Sequence, residues 1–522
     1  MKNIKILALL MLIGLGTACT KNFEDINTDP YGITKESLKQ DYNIVGALYK
    51  PMLMNIYTYD PVWVFQLQQN LLGDVYSGYM MIPTPFRGNS NNTTYDLVDG
   101  WNGFPWSVAY TNIMNNALTI KSRAEEDLPN FYAWSLIIKV EAMHRVSDMF
   151  GPIVYSHFGE NPTSAAYDSQ KEAYDNFFKD LDFAVETLAD YTDNTAFSNF
   201  DISTYGGDVT QWIKFANSLR LRLAIRISNV DPAKAQVEAE KAINNSFGLI
   251  ESNDENFVID AGLLHPLSTI NSAWNDIRMG APMESILKGY NDQRIEQYFL
   301  KSADYPDDYK GIRNGIDIQT KDTYDGFSKL GPVIETTKVQ LMTAAEVSFL
   351  RAEGALRGWN MGGTAQSFYE NGIRLSFNQY GIGGVDAYIA DNTSTAADYI
   401  DPNNSANNVT GAGLSQVTIA WNNADDNETK LEKIITQKWI AMYPDGQEAW
   451  SEFRRTGYPK LFTVMVNNSG GKISTEEFIR RVNLPASEYE TNNAETLKAV
   501  ETLKGPDTGG TRLWWDLGYN QW

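Results

Sequence analysis

The sequence predicts an all-α fold, an α-solenoid of helical hairpins with an irregular, loop-rich region set upon it. Two observations predict it. Segments of ~15 residues with helical periodicity follow one another in pairs along much of the chain, which is how repeated hairpins read in sequence. Between them lie stretches rich in Gly, Asn, Asp, Ser and Thr that are longer than plain connections in a compact domain. The tetratricopeptide consensus itself fits poorly, so the pattern alone gives hairpins rather than a named repeat.

The chain opens with Lys2 and Lys5, an apolar run from Ile6 to Leu15, and then Gly16-Thr17-Ala18-Cys19. The run is shorter than the ~20 residues a bilayer-spanning helix needs. The arrangement resembles a bacterial lipoprotein signal, with residues 1–18 removed and Cys19 lipidated, although Gly16 stands where the usual pattern has Leu. The same small residues suit an ordinary signal peptidase, which would leave a secreted protein with a free thiol. Cys19 is the single cysteine of the 522 residues, and an unpaired cysteine at this one position favours lipidation. Residues 19–35 read as a polar tether, and Glu24 and Asp25 within it resemble surface-export signals of Bacteroidetes lipoproteins.

Helical periodicity begins near Glu36 and runs through Tyr57. Further helices are expected at Trp106 to Ala124, Phe131 to Phe150, Lys171 to Asp190, Thr210 to Ser228, Pro232 to Asn244, Thr343 to Trp359, Thr364 to Gln379, Lys430 to Tyr443 and Asn493 to Leu503. Leu136, Val140, Met143 and Val146 carry the i, i+4, i+7 spacing of a buried face, and Pro232 suits a first turn. The expected irregular insertions span about 73–105, 246–331 and 381–428. The last reads as surface structure that the helical core does not require, and so as a place for partner contact.

Formal net charge is −22, and no Lys/Arg cluster offsets it, which excludes a phosphate-backbone binder and so nucleic acid. The three histidines, His144, His157 and His265, have no metal-ligand spacing, and no nucleophile elbow, P-loop or dinucleotide fingerprint is present. The acidic loop Asp425-Asp426-Asn427-Glu428 lacks EF-hand spacing. No cofactor and no catalytic residue is indicated. Carboxylates are plentiful, but none stand out as the pair a secreted glycoside hydrolase would need.

Several segments, in order and spacing, resemble those of the SusD/RagB-type nutrient-binding outer-membrane lipoproteins of Bacteroidetes, in the SusD-like subgroup. They are Cys19 through Pro30, Asp148-Met149-Phe150-Gly151-Pro152, Trp212 through Arg222, Ala345-Glu346-Val347 with Ala352-Glu353-Gly354, and Thr436 through Pro444. Glu448-Ala449-Trp450 with Phe453 through Pro459, and Gly505-Pro506-Asp507 with Arg512-Leu513-Trp514-Trp515-Asp516, complete the set. The resemblance implies one SusD-like domain over 36–522, with tetratricopeptide-like hairpins and no catalysis. It implies capture of oligosaccharides, or in some relatives peptides, for a SusC-like TonB-dependent outer-membrane β-barrel, at the cell exterior. A surface scaffold or adhesin is the remaining alternative. Asn217, Arg220, Arg222, Glu448, Arg454, Arg455, Trp514 and Trp515 read as scaffold.

A glycan shows C–H faces ringed by hydroxyls, so its site needs loop aromatics beside short polar side chains. Two stretches offer them. Asp74 to Trp106 supplies Asp74, Tyr79, Arg87, Tyr95 and Trp101, and Asn271 to Arg278 supplies Asn271 and Trp274. Trp421, between short polar residues, is a third candidate.

Overall fold

The amphipathic spacing becomes paired helices in the computed structural model, which describes residues 40–161 and 163–518. The signal, Cys19 and the tether lie outside the described residues. The chain divides after Ile44. The described residues before that point form a 3-10 turn at Gln40–Tyr42, where φ is +58° at Asp41 and +61° at Tyr42. Of the helix expected from Glu36 to Tyr57, positions 36–39 lie outside the described residues, and the remainder holds a short helical turn, Asn43–Gly46, and α1, Tyr49–Ile56.

The second unit holds the scaffold. Its longer helices are α2 (Asn115–Ala124), α3 (Pro129–Phe150), α4 (Gln170–Leu188), α5 (Val209–Arg226), α6 (Pro232–Ile243), α7 (Ala281–Gly289), α8 (Ala344–Leu356), α9 (Ala365–Gln379), α10 (Asn427–Met442), α11 (Gly446–Thr456) and α12 (Asn493–Thr502). Most starts are capped by short oxygen-bearing side chains that accept otherwise unpaired backbone N–H groups. Ser169 caps α4 in a capping box with Glu172, Asp208 caps α5, Asp231 caps α6 and Thr343 caps α8. Asp426, in the acidic loop, caps α10 through Thr429 N at 2.8 Å. Helices α3/α4, α5/α6, α8/α9 and α10/α11 pack as consecutive hairpins, and α4 against α5, α5 against α8, and α8 against α10 join one hairpin to the next.

Aromatic stacking fills the space between α1, α3 and α5. Trp134 lies between Tyr49 (centroids 3.9 Å, planes 9° apart) and Phe197 (4.4 Å, 18°), with Trp212 edge-on at 5.5 Å. The seam between α3, α5, α8, α10 and α11 is charged instead. Arg222 donates to Glu346 Oε2 at 2.7 Å and to the Leu341 carbonyl at 2.8 Å. Arg226 pairs with Glu448, Glu452 and Asp148. Arg455 forks onto both oxygens of Glu353, each at 2.7 Å, and onto Glu452 at 2.8 Å. Asn217 donates to Gly248 O, and Arg454 to the carbonyls of Asp148 and Arg480. These side chains are scaffold, as the sequence suggested. Trp515 is fully buried with its Nε1 on Asp148 Oδ1 at 2.8 Å, while Trp514 stays half-buried against Tyr174.

Two small antiparallel ribbons cross the scaffold. β1 (Met80–Met81) pairs with β3 (Arg278–Met279), Met80 opposite Met279, and β2 (Phe257–Asp260) pairs with β4 (Lys338–Met342). The 381–428 stretch is tied to the rest of the chain. Tyr388 donates to Asp292 Oδ2 in a buried cluster with Arg294, Tyr399 donates to Gly311 O, and the carbonyls of Ala397, Val417 and Ile419 accept from Ser285, Tyr290 and Tyr369. The hydroxyls of Tyr290 and Tyr369 and the Asp292–Arg294 pair thus find partners in it.

Candidate functional site

The β1–β3 ribbon decides which loops meet. By pairing Met81 with Arg278 it sets the chain leaving β1 beside the chain entering β3. There Thr84 donates to Asp276 Oδ1 at 2.6 Å. A third segment arrives from 317–321: Lys321 Nζ donates to the same Asp276 oxygen at 2.7 Å and to the Trp274 carbonyl at 3.1 Å. Asn89 donates to Asp317 Oδ1 at 2.9 Å and to Ile318 O at 2.7 Å. The two aromatic-bearing stretches singled out in the sequence thus meet, tied through Thr84 and Asp276.

Local backbone geometry holds Trp274 in place. A π-type turn, Thr269–Ala273, ends with Trp274 N on Thr269 O and Asp276 N on Ile270 O, both at 3.0 Å. Between them Asn275 takes φ +58°, a left-handed conformation that Asn tolerates. Its side-chain oxygen accepts from Arg278 Nη2 at 2.8 Å, and the buried Arg278 also holds the Ile277 carbonyl at 2.6 Å. Burial pulls the Arg278 guanidinium down to about 10, so it is charged at neutral pH. On the facing loop, Arg87, Gly88 and Asn89 all have positive φ, which turns the chain back and leaves the Arg87 side chain exposed, its Nε on Ser90 O at 3.1 Å. Trp101 is half-buried, and its ring meets Phe86 edge-on at 6.1 Å.

The sequence-selected residues divide accordingly. Arg87 and Trp274 keep accessible surface on the joined loops, and Trp101 keeps some in the short helical turn Asp99–Asn102. Asp74, Tyr79, Tyr95 and Asn271 lie in the interior, which corrects the expectation that they face ligand. Tyr79 is fully buried with its hydroxyl on the Trp439 carbonyl and its ring 4.9 Å from Trp439. Asp74 is fully buried against α11, accepting from Gln69 at 2.9 Å and Asn70 at 3.2 Å; burial, only partly offset by those amides, pushes its carboxyl up to about 7. Asn271 bridges both backbone groups of Leu330, at 3.0 and 3.3 Å. Tyr95 is 4% exposed at the end of a 3-10 turn, with φ +64°. Turn-forming Asn and Gly around these residues signal a loop, and a loop can still be packed under others. Trp421 belongs to another place: it packs on Tyr369 of α9 at 5.4 Å, and its Nε1 donates to Asn423 of its own loop at 3.0 Å.

Sequence reading missed Thr84, Asp317 and Lys321 as parts of this surface. Lys321 and Asp276 are 45 positions apart, and no local pattern announces a pair closed by an intervening ribbon. The arrangement offers two half-exposed indole rings and a rim of carboxylate, ammonium, guanidinium and amide groups, which suits the C–H faces and hydroxyls of a sugar chain. Among the described residues no group of three or more His, Cys, Asp or Glu could hold a metal ion. No helix among them is long and apolar enough to cross a membrane.

Solved structures resemble the chain over nearly its whole length. A chitin-binding SusD homologue from Flavobacterium johnsoniae shares 51% identity, covering 92% of this chain and all of that one, with a TM-score of 0.90. SusD homologues from Bacteroides vulgatus (39% identity, TM-score 0.86, covering 92% of this chain and 99% of that one) and Bacteroides uniformis (38%, 0.86, 91% and 99%) superpose similarly. No curated protein matches. The SusD-like family, described as SusD and RagB outer-membrane lipoproteins, matches residues 25–516, and the chain belongs to that family.

Proposed function

We propose that this protein is a surface glycan-binding lipoprotein that captures chitin-type oligosaccharides on the joined loops and passes them to a SusC-like TonB-dependent barrel. The observation that carries the reading is the Thr84–Asp276 contact between the two stretches that bear the half-exposed Trp101 and Trp274, in a chain whose 51%-identical relative is described as chitin-binding. Lipid on Cys19 would hold it at the outer membrane, facing out, with no catalytic step of its own.

Affinity follows from the size of the contact. One stacked ring hides ~50 Å² of apolar sugar surface, worth about 1 kcal/mol at ~25 cal/mol per Å². Two rings plus hydroxyl contacts, less the cost of ordering the sugar, give micromolar to millimolar binding. So weak a binder is useful where a nearby transporter sees a high effective concentration of ligand.

The test is calorimetry with N-acetylglucosamine hexamer against wild type and Trp101→Ala/Trp274→Ala. The double variant should lose most of its affinity for the hexamer and melt within a few degrees of wild type. Hexamer affinity unchanged in the double variant refutes the surface assigned, and absence of binding by wild type to this and to other glycans refutes the glycan reading. For the anchor and partner, Cys19→Ser should leave the membrane fraction in cells lacking the barrel, and detergent extracts should hold wild type and barrel in equal amounts. Recovery only as a free monomer would count against delivery.

A further inference from the structure

We propose a second saccharide site, separate from the Trp101–Trp274 surface, in a cleft of about 560 Å³ between the β2–β4 ribbon and the C-terminal end of α9, which takes a small neutral polyhydroxylated ligand such as one or two sugar units. Its walls come from Thr204, Asn253, Asn256, Gln340, Gln379 and Tyr380, together with the flanking charges Asp254 and Lys338. None of these residues belongs to the loops that carry Trp101 or Trp274.

Three features fit a sugar. First, Tyr380 is half-buried with its ring fixed edge-on to Tyr298 at 5.5 Å, so an aromatic wall is already in place. Second, Gln379 Nε2 donates to Gln340 Oε1 at 2.5 Å and to the Tyr380 hydroxyl at 3.3 Å. This leaves the Gln340 amino group and the Gln379 carbonyl, on side chains that touch, without hydrogen-bond partners among the described residues: a donor and an acceptor for neighbouring sugar hydroxyls. Third, Asn253 donates to Leu375 O at 3.0 Å while its own Oδ1 is buried and unsatisfied. A buried acceptor without a donor costs free energy that a ligand hydroxyl would recover.

Charge selects a neutral ligand. Asp254 and Lys338 contribute one charge of each sign to the lining, and His265 is buried and carries no charge near neutral pH, since burial pulls it down to about 3 and its Nδ1 accepts from Leu267 N at 3.1 Å. Nothing there favours a carboxylate or phosphate over a hydroxyl.

The experiment uses the full mature chain carrying Trp101→Ala/Trp274→Ala, so that the first surface is silent. Saturation-transfer NMR would be run with glucose, N-acetylglucosamine, N,N′-diacetylchitobiose and glucuronate. At least one neutral probe should bind saturably, with glucuronate weaker. Adding Gln340→Ala and Gln379→Ala should abolish the signal without moving the melting point by more than a few degrees, and Asn253→Leu should weaken it at least threefold. Absence of saturable binding by every neutral probe, binding that survives the glutamine changes, or preference for glucuronate would each overturn the proposal. Failure of the Trp101–Trp274 reading would appear separately, as hexamer binding unchanged by the tryptophan substitutions.

Discussion

Asp276→Ala tests whether the proposed glycan surface is assembled by one carboxylate. Asp276 accepts from Thr84 at 2.6 Å and from Lys321 at 2.7 Å, and so joins three loops separated by long stretches of sequence. Its side chain is 17% exposed and that of Lys321 30%, so the pair is partly shielded from water. A hydrogen bond to a charged group contributes roughly 1.5–3 kcal/mol when buried, and discounting for partial exposure leaves about 1–2 kcal/mol for the pair of contacts. If binding must restore that order, affinity for N-acetylglucosamine hexamer should fall roughly five- to thirtyfold. The melting point should move little, because the scaffold seams are elsewhere. Asp276→Asn keeps an acceptor and loses the charge, so its affinity should lie between wild type and Asp276→Ala. Calorimetry gives the affinity, and tryptophan fluorescence reports whether the Trp274 environment changes with it. Wild-type affinity in Asp276→Ala, alongside loss of binding in Trp101→Ala/Trp274→Ala, would refute the argument that Asp276 positions the rings.

Three further outcomes concern the scaffold. Arg455→Met should cost about 3–5 kcal/mol in urea unfolding, because Glu353 and Glu452 would remain buried without their forked partner; a loss below 1 kcal/mol would contradict this. Asp74 has a folded-state value of about 7, above its unfolded value, so the native chain binds the extra proton and wild-type stability declines as pH rises from roughly 4 to 7. Asn at this position does not titrate, so the melting point of Asp74→Asn relative to wild type should climb between pH 5 and pH 8, and a flat difference would show that Asp74 is not the group responsible. Ser169→Ala should remove about 1 kcal/mol by breaking the capping box of α4, and no change would show that the box is replaced by water.

The sequence by itself determined the helices whose apolar residues recur on one side. The expected Phe131 to Phe150 is observed as Pro129–Phe150 and the expected Lys171 to Asp190 as Gln170–Leu188, because amphipathic spacing and a cap are local properties. The same reading does not reveal α11 as a helix: all eleven of its residues are buried, yet Glu448, Glu452, Arg454 and Arg455 are among them, and their burial depends on partners as distant in sequence as Asp148 and Arg226. Composition marked Trp101 and Trp274 as loop aromatics with polar neighbours. Only the tertiary structure decided that the stretches bearing them touch, through a two-residue ribbon and the Asp276 contacts, and that Asp74, Tyr79, Tyr95 and Asn271 are buried. Local sequence sets the conformation of a turn. Which side of that turn meets water is set by what packs over it, and those residues come from elsewhere in the chain.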